Sequence, residues 1–282
     1  MNKKLLIASL HPDEAITHCV LKHKKVFAEQ VDIVLLPEIL NEYEIFDELS
    51  DQGSQINWFK DFRLVISNQS HFLLNRVSFI PSILFNNFTP ADRDYAKREF
   101  EAYLGYAFNS FTGIGNQTPN GICQPSVSLP QQWKQVSNSL EISVPEYYWG
   151  LKSLNNLRDN TVYSNIYNCL NWKPDCAPEN EDHIFCFQRP SGIPCFTACI
   201  GNQCFISDMP AIPGTVQNLL MTLTCQIAKQ LNFFIAEMLF FIAEEKVTFG
   251  CISSDLIQMG KDKSFEDFVC ANLLKEIRLC LH

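Results

Sequence analysis

Short apolar runs and stretches with helical spacing succeed one another along this chain. Leu5-Leu6-Ile7-Ala8 stops at His11-Pro12-Asp13-Glu14, which predicts a buried strand over 3–9. Residues 12–29 form a helical pattern with Ala15, Cys19, Val20 and Val26 on one side, and Val31-Asp32-Ile33-Val34-Leu35-Leu36-Pro37 reads as a second strand. Strand, helix, strand in that order predicts a parallel sheet with helices packed on it. Arg63-Leu64-Val65-Ile66-Ser67 is a third strand candidate. Pro90 opens a helix with Asp92, Asp94 and Glu99 in its first turns, where negative charge suits the helix dipole. Tyr95, Phe100, Tyr103, Leu104 and Phe108 form its apolar stripe, and it ends before Thr112-Gly113-Ile114-Gly115-Asn116. A loop follows through Pro119 and Gly121.

Pro130 starts another helix, which holds Trp133 and Val136, and Ile142-Ser143-Val144-Pro145 reads as a short strand leaving the domain. Residues 150–182 are polar and rich in Asn, as in a linker or insertion. The β pattern returns at His183. Ile184–Phe187 and Cys195–Ile200 flank a Pro-Ser-Gly turn, and Gly201-Asn202 is a hairpin signal before Gln203–Ile206. A helix covers about 214–231, with Leu219, Leu220, Leu223, Ile227 and Leu231 at helical spacing. Strands near 234–242 and 246–252 and an amphipathic helix over about 265–281 complete the chain. The expected fold class is α/β. An N-terminal parallel-sheet domain spans 1–149, a linker or reduced lid 150–182, and an α+β C-terminal region 183–282.

Composition narrows the function classes. Hydrophobic residues make up 46% and charged residues 19%, as in a globular chain rather than a disordered one. The 22 Phe argue for a well-filled core and for exposed aromatic contact surface. The net charge is −9, and no basic cluster exceeds Lys22, Lys24 and Lys25, which read as a solvated helix face. No nucleic-acid partner is expected, because neutralising phosphates drives that binding. The longest apolar run, Phe233–Ala243, is broken by Glu237 and falls short of the roughly 18–20 residues of a membrane span, so no membrane partner is expected either. The N-terminal Met1–Leu10 superficially looks like a signal peptide, but a first strand explains it better. The twelve Cys then read as reduced thiols and the localisation as cytoplasmic. Cys169, Cys176, Cys186, Cys195, Cys199 and Cys204 are dense, but C-x-x-C is absent and only His183 lies among them. Small buried residues explain these cysteines better than zinc ligands do.

Three motifs invite chemistry on weak grounds. His11-Pro12-Asp13-Glu14 resembles the H-P-D-D-E signature of zinc-dependent N-acetylglucosamine deacetylases. One acid of that motif is missing, and the later His-rich motif has no counterpart among His18, His23, His71, His183 and His282. The structural alternative is a helix start with Pro12 at its first position. His18 adjoins Cys19, but neighbours on a helix point apart, and no G-x-S-x-G elbow exists. Thr112–Asn116 is a phosphate-loop lookalike or a plain helix stop.

A larger set of segments occurs in one order. Leu74-Asn75-Arg76-Val77 is followed by Asp92-Arg93-Asp94-Tyr95-Ala96 with Glu99 and Ala102. Then come Trp133, Ser143-Val144-Pro145, Phe187-Gln188-Arg189-Pro190-Ser191-Gly192-Ile193-Pro194 and Ile200-Gly201-Asn202-Gln203-Cys204-Phe205. Together they resemble the peptide-modifying branch of the ATP-grasp superfamily, the glutamate ligases and graspetide maturases. The resemblance covers about 3–150 and, more weakly, 183–280.

It implies phosphorylation of a carboxylate and attack on the acyl phosphate by an amine or thiol, with ATP and Mg²⁺ as cofactors if the protein is active and none otherwise. It implies a peptide or protein as substrate or partner; self-association into a homo-oligomer is left open. Arg189 is carried over as a catalytic and nucleotide-binding residue, Glu237 as a nucleotide and metal residue, and Asn75 and Arg76 as substrate or partner residues. The chain departs from the family's plan in two places. The 150–182 segment is short for a lid, and its Lys152 and Lys173 lie in no V-x-K-P strand. The second metal position, E-x-N in the family, falls on Cys251-Ile252-Ser253, and Mg²⁺ prefers carboxylate oxygen. The expected function is therefore an ATP-grasp-like protein of reduced chemistry that binds a peptide or a partner enzyme. Whether it is an enzyme stays open. The alternatives are an active carboxylate–amine ligase with atypical metal ligands and, behind it, a deacetylase-like hydrolase. Each site residue also has a structural reading. Arg189 fits an ion pair, Glu237 a solvent-facing strand position, Cys251 the core, and Asn75 and Arg76 an interdomain turn.

Overall fold

The computed structural model describes residues 3–51, 53–77, 79–114, 127–154, 161–163, 165–170, 182–207 and 212–281. Packing divides the chain into two units. One comprises Met1–Ser126, Asn232–Phe234 and Gln258–His282, the other Val127–Leu231 and Ile235–Ile257. The expected loop residues Gly115, Asn116, Pro119 and Gly121, as well as Lys173 and Cys176, lie outside the described residues.

The first unit begins with β1 (Lys4–Ser9), whose apolar run is almost wholly buried. The helical pattern that follows is two helices, α1 (Ala15–Lys22) and α2 (Lys24–Phe27), broken at His23. Glu14, not Pro12, marks the helix start. Its carboxylate accepts from the Thr17 N–H and caps α1, and Pro12 sits in the preceding turn. Then come β2 (Val31–Leu35), α3 (Leu36–Asn41), β3 (Glu44–Ser50), β4 (Gly53–Lys60), β5 (Arg63–Ser67) and β6 (His71–Asn75). The long helix α4 (Pro90–Asn109), capped by Thr89, leads to the two-residue β7 (Thr112–Gly113).

The parallel sheet has the order β2-β1-β6-β7. The third predicted strand, 63–67, is not part of it. That segment is β5, the last strand of an antiparallel sheet β3-β4-β5, and β6 takes the place beside β1. Strand β3 is exposed at almost every position, so its sequence carries no alternation to reveal it. Leu6, Ala8, Val34, Leu73, Ile56, Trp58, Leu104 and Phe108 share one core, in which the Trp58 indole N–H donates to the Tyr103 hydroxyl at 2.7 Å.

The second unit holds α5 (Leu129–Leu140), β8 (Tyr147–Leu151), β9 (Thr161–Tyr163), β10 (His183–Gln188), β11 (Ile193–Ile200), β12 (Gln203–Ile206), α6 (Gly214–Gln230), β13 (Ile235–Ala243) and β14 (Lys246–Ser253). Its antiparallel sheets are β8-β10-β9 and β12-β11-β13-β14. The stretch 150–182 is therefore partly sheet: the end of β8 and all of β9 pair with β10. The segment Ile142–Pro145 makes a single bridge, Ser143 to Thr248, rather than a strand.

Strands β10 and β11 do not pair with each other. The Pro-Ser-Gly turn carries the chain from one sheet to the next. Gly192 is required there. Its φ is +105°, and a Cβ would stand 2.3 Å from the Ile242 carbonyl oxygen. The chain then returns to the first unit with α7 (Lys263–Leu281), where Phe265, Val269, Leu273 and Ile277 line up at four-residue spacing and are fully buried. No helix among the described residues is long and apolar enough to cross a membrane.

Candidate functional site

The second unit gathers the C-terminal site candidates around the paired strands β13 and β14. Glu237 on β13 faces Ser253 on β14 in register, and Leu239 faces Cys251. Side chains alternate across a strand, so Glu237, Cys251 and Ser253 share one face. Glu237 does not face solvent: it is 1% exposed. Burial of a carboxylate costs several kcal/mol unless partners compensate, so this position is structurally demanding.

Cys251 is buried and hydrogen bonds with the Tyr167 hydroxyl. Burial pushes its thiol up to about 12, with the Glu237 charge adding to the rise and the Tyr167 bond opposing it. Burial is also the main cause that raises the Tyr167 phenol, followed by Cys251 and then Glu237. At neutral pH the pair is therefore a neutral thiol and a neutral phenol beside the Glu237 side chain. Ser253 accepts from the Asp255 backbone N–H at 3.0 Å.

Helix α5 fixes the backbone of this strand. The Gln132 side chain receives the Ile252 N–H at 3.0 Å and donates to the Ile252 carbonyl at 3.1 Å. The Trp133 indole donates to the Gly250 carbonyl at 2.6 Å. The same indole packs against Tyr147 and Phe187, with ring centroids 5.4 and 5.2 Å away. Thus β14 pairs with β13 along one edge, and side chains of a helix bond its backbone at Gly250 and Ile252.

Arg189 follows β10 and is half-buried, and its guanidinium donates to the Cys169 carbonyl at 3.2 Å. Cys169 lies in the helical turn Ile166–Leu170, which also carries Tyr167. This turn thus links Arg189 to the Glu237–Cys251 face. Neither Tyr167 nor Gln132 stood out in the sequence. Tyr167 lies in the Asn-rich stretch that has no periodicity, and Gln132 reads as an ordinary polar helix residue. Lys152 is exposed and donates its backbone N–H to the Asp182 carbonyl at 2.8 Å.

Mg²⁺ requires near-octahedral oxygen ligation. The two strand positions offer one carboxylate, one neutral thiol and one hydroxyl. That set does not fit the paired metal ions that the resemblance implies.

Asn75 and Arg76 lie in the first unit, at the C-terminal end of β6. Asn75 accepts from the Val77 N–H at 2.9 Å. Arg76 donates Nε and Nη2 to Glu14 at 2.9 and 2.7 Å. The carboxylate of the His-Pro-Asp-Glu segment is therefore a helix cap and an ion-pair partner, while His11 and Asp13 stand exposed beside each other.

No family model matches the sequence. No curated protein matches it either. Solved structures do. Macrocyclase MdnC bound with precursor peptide MdnA, from Microcystis aeruginosa MRC, superposes with a TM-score of 0.68 at 9% identity over 96% of this chain and 99% of that one. ATP-grasp ligase PsnB complexed with minimal precursor, Mg and ADP gives 0.66 at 11% identity over 100% and 99%. A RiPP-associated ATP-grasp ligase from Chryseobacterium gregarium, in complex with ADP and a leader and core peptide, gives 0.65 at 8% identity over 98% and 96%. The chain has the ATP-grasp ligase fold of these peptide-modifying enzymes.

Proposed function

We propose that this chain is an ATP-grasp-fold protein that has given up metal-dependent ligase chemistry and acts by holding a peptide or a partner enzyme. One observation carries the reading: a neutral, buried Cys251, hydrogen bonded to Tyr167, stands where the resemblance expects a metal-ligating carboxylate. Phosphoryl transfer depends on cations that neutralise the triphosphate and the developing charge. A thiol with a pKa pushed up to about 12 holds a cation poorly.

The binding half of the proposal draws on two supports. The similar solved structures named above hold precursor peptides or leader and core peptides. In the first unit, Phe46, Leu49, Phe62 and Leu64 on or beside β3–β5 are more than half exposed, which is apolar surface available for contact. A second reading, an active ligase with atypical ligands, rests on Glu237 and on Arg189, which the Ile166–Leu170 turn ties to the same face.

Titration calorimetry with Mg-ATP and with a non-hydrolysable analogue separates the two. The expected outcome is no binding at millimolar nucleotide. Saturable binding that Arg189→Ala abolishes would overturn the proposal in favour of the ligase.

A further inference from the structure

The first unit contains a group of donors that the ATP-grasp resemblance does not use. Cys19 lies in α1 and is fully buried, and His23 follows one helical turn later. Cys270 lies in α7, with Glu266 one turn before it. Residues four apart share a helix face, so Glu266 and Cys270 pair on α7, and His23, which caps α1, donates its backbone N–H to the Cys19 carbonyl at 3.0 Å.

The two sulfurs are brought to bonding distance. A ring nitrogen of His23 and both Sγ atoms lie within 4.8 Å of one another. The His23 Nε2 is buried and makes no hydrogen bond among the described residues. The Glu266 carboxylate lies 3.5 Å from it. The same carboxylate takes the Lys22 ammonium at 2.5 Å.

A disulfide between Cys19 and Cys270 would account for the sulfurs alone. It would leave the buried His23 Nε2 with no more than the long contact to Glu266. A soft divalent ion accounts for all the donors. Zinc takes thiolate at about 2.3 Å and imidazole at about 2.0 Å, which separates its tetrahedral ligands by roughly 3.3–3.8 Å, within the 4.8 Å that encloses these three ligand atoms.

We infer that Cys19, His23 and Cys270 bind a zinc-class divalent ion, with Glu266 as the fourth ligand, and that this ion ties α1 to α7. Two thiolates balance the ion's charge, and Lys22 balances Glu266. The ligands Cys19 and Cys270 are 251 residues apart in sequence. The ion would thus close nearly the whole chain, and binding that needs the assembled site stabilises the folded state. Close-spaced cysteine pairs are the usual sequence signal for zinc, and this set has none, because its halves come from opposite ends of the chain.

The test uses the untagged full chain, loaded with zinc or cobalt(II) and freed of excess ion. Metal analysis is expected to give one zinc per chain. Cobalt is expected to give the near-ultraviolet thiolate charge-transfer band and the intense visible bands of a tetrahedral site. Cys19→Ser, His23→Ala and Cys270→Ser should each lose the bound zinc. Cys280→Ser, a half-buried cysteine on the same helix, should keep it. Absence of uptake by the wild type would overturn the proposal, as would uptake that those three substitutions leave unchanged. Cys19 and Cys270 found oxidised to one another in chain prepared under reducing conditions would overturn it too. The wild-type stoichiometry decides first, so a variant that misfolds does not leave the question open.

Discussion

Glu14 shows how one carboxylate can serve two elements. It accepts the Thr17 N–H and hydroxyl at the head of α1, and it receives two guanidinium N–H groups from Arg76 at the end of β6. Burial alone would raise its pKa. The Arg76 charge and the bonds from Arg76 and Thr17 outweigh burial and hold it below the ordinary value of 4.5. A carboxylate with a lowered pKa binds its proton more weakly in the folded state. It therefore contributes stability above pH 4.5, and that contribution is lost as the pH falls through the folded value. Glu14→Gln should cost on the order of 3 kcal/mol at neutral pH, because the charge beside a buried Arg76 is gone. It should also flatten the acid limb of a stability-versus-pH curve measured by urea unfolding. An unchanged acid limb would mean that other carboxylates dominate it. At this same scale the sequence was legible in part. Asn75, Arg76, Arg189 and Glu237 stood out by their place in a recurring order of segments. Tyr167 and Gln132, which hold Cys251 and Ile252, did not, since hydrogen bonding to a distant strand leaves no local pattern.

Among the elements, the turn between β10 and β11 is the sharpest case. The pattern Pro190-Ser191-Gly192 reads as a turn between two strands, and those strands join different sheets. What the turn requires is clearance against Ile242 and a left-handed backbone. Gly192→Ala meets both obstacles at once and should destabilise the chain by about 2 kcal/mol or more. A shift of the urea midpoint at constant slope would report it. A midpoint within error of the wild type would show that the neighbouring backbone yields easily. Elements with a strong helical period, α4, α6 and α7, were readable with nearly correct bounds, and α5 by its start, because an apolar stripe at 3.6-residue spacing is written locally. Strands β3 and β9 were not. One is exposed on both faces, and the other lies in a polar stretch with only three strand residues.

For the molecule as a whole, α7 matters most. It is the last element of the chain, yet it belongs to the first packing unit. Its buried row, Phe265, Val269, Leu273 and Ile277, loses its helix if the chain stops at Ile257. Removing residues 258–282 should therefore unprotect the amides of β1 and β2 to hydrogen exchange more than those of β13 and β14. Equal protection in the truncated and full chains would refute this assignment.

The sequence by itself determined the α/β class, the strong helices, the β11–β12 hairpin and the likeness to peptide-modifying ATP-grasp ligases. These rest on periodicity and on the order of short segments, both of which are local properties. Tertiary structure alone decided that β6 and not β5 lies beside β1, that Cys251 is a neutral thiol bonded to Tyr167, and that Cys19, His23 and Cys270 converge. Each of these joins residues far apart in the chain, and their closeness follows from packing rather than from spacing.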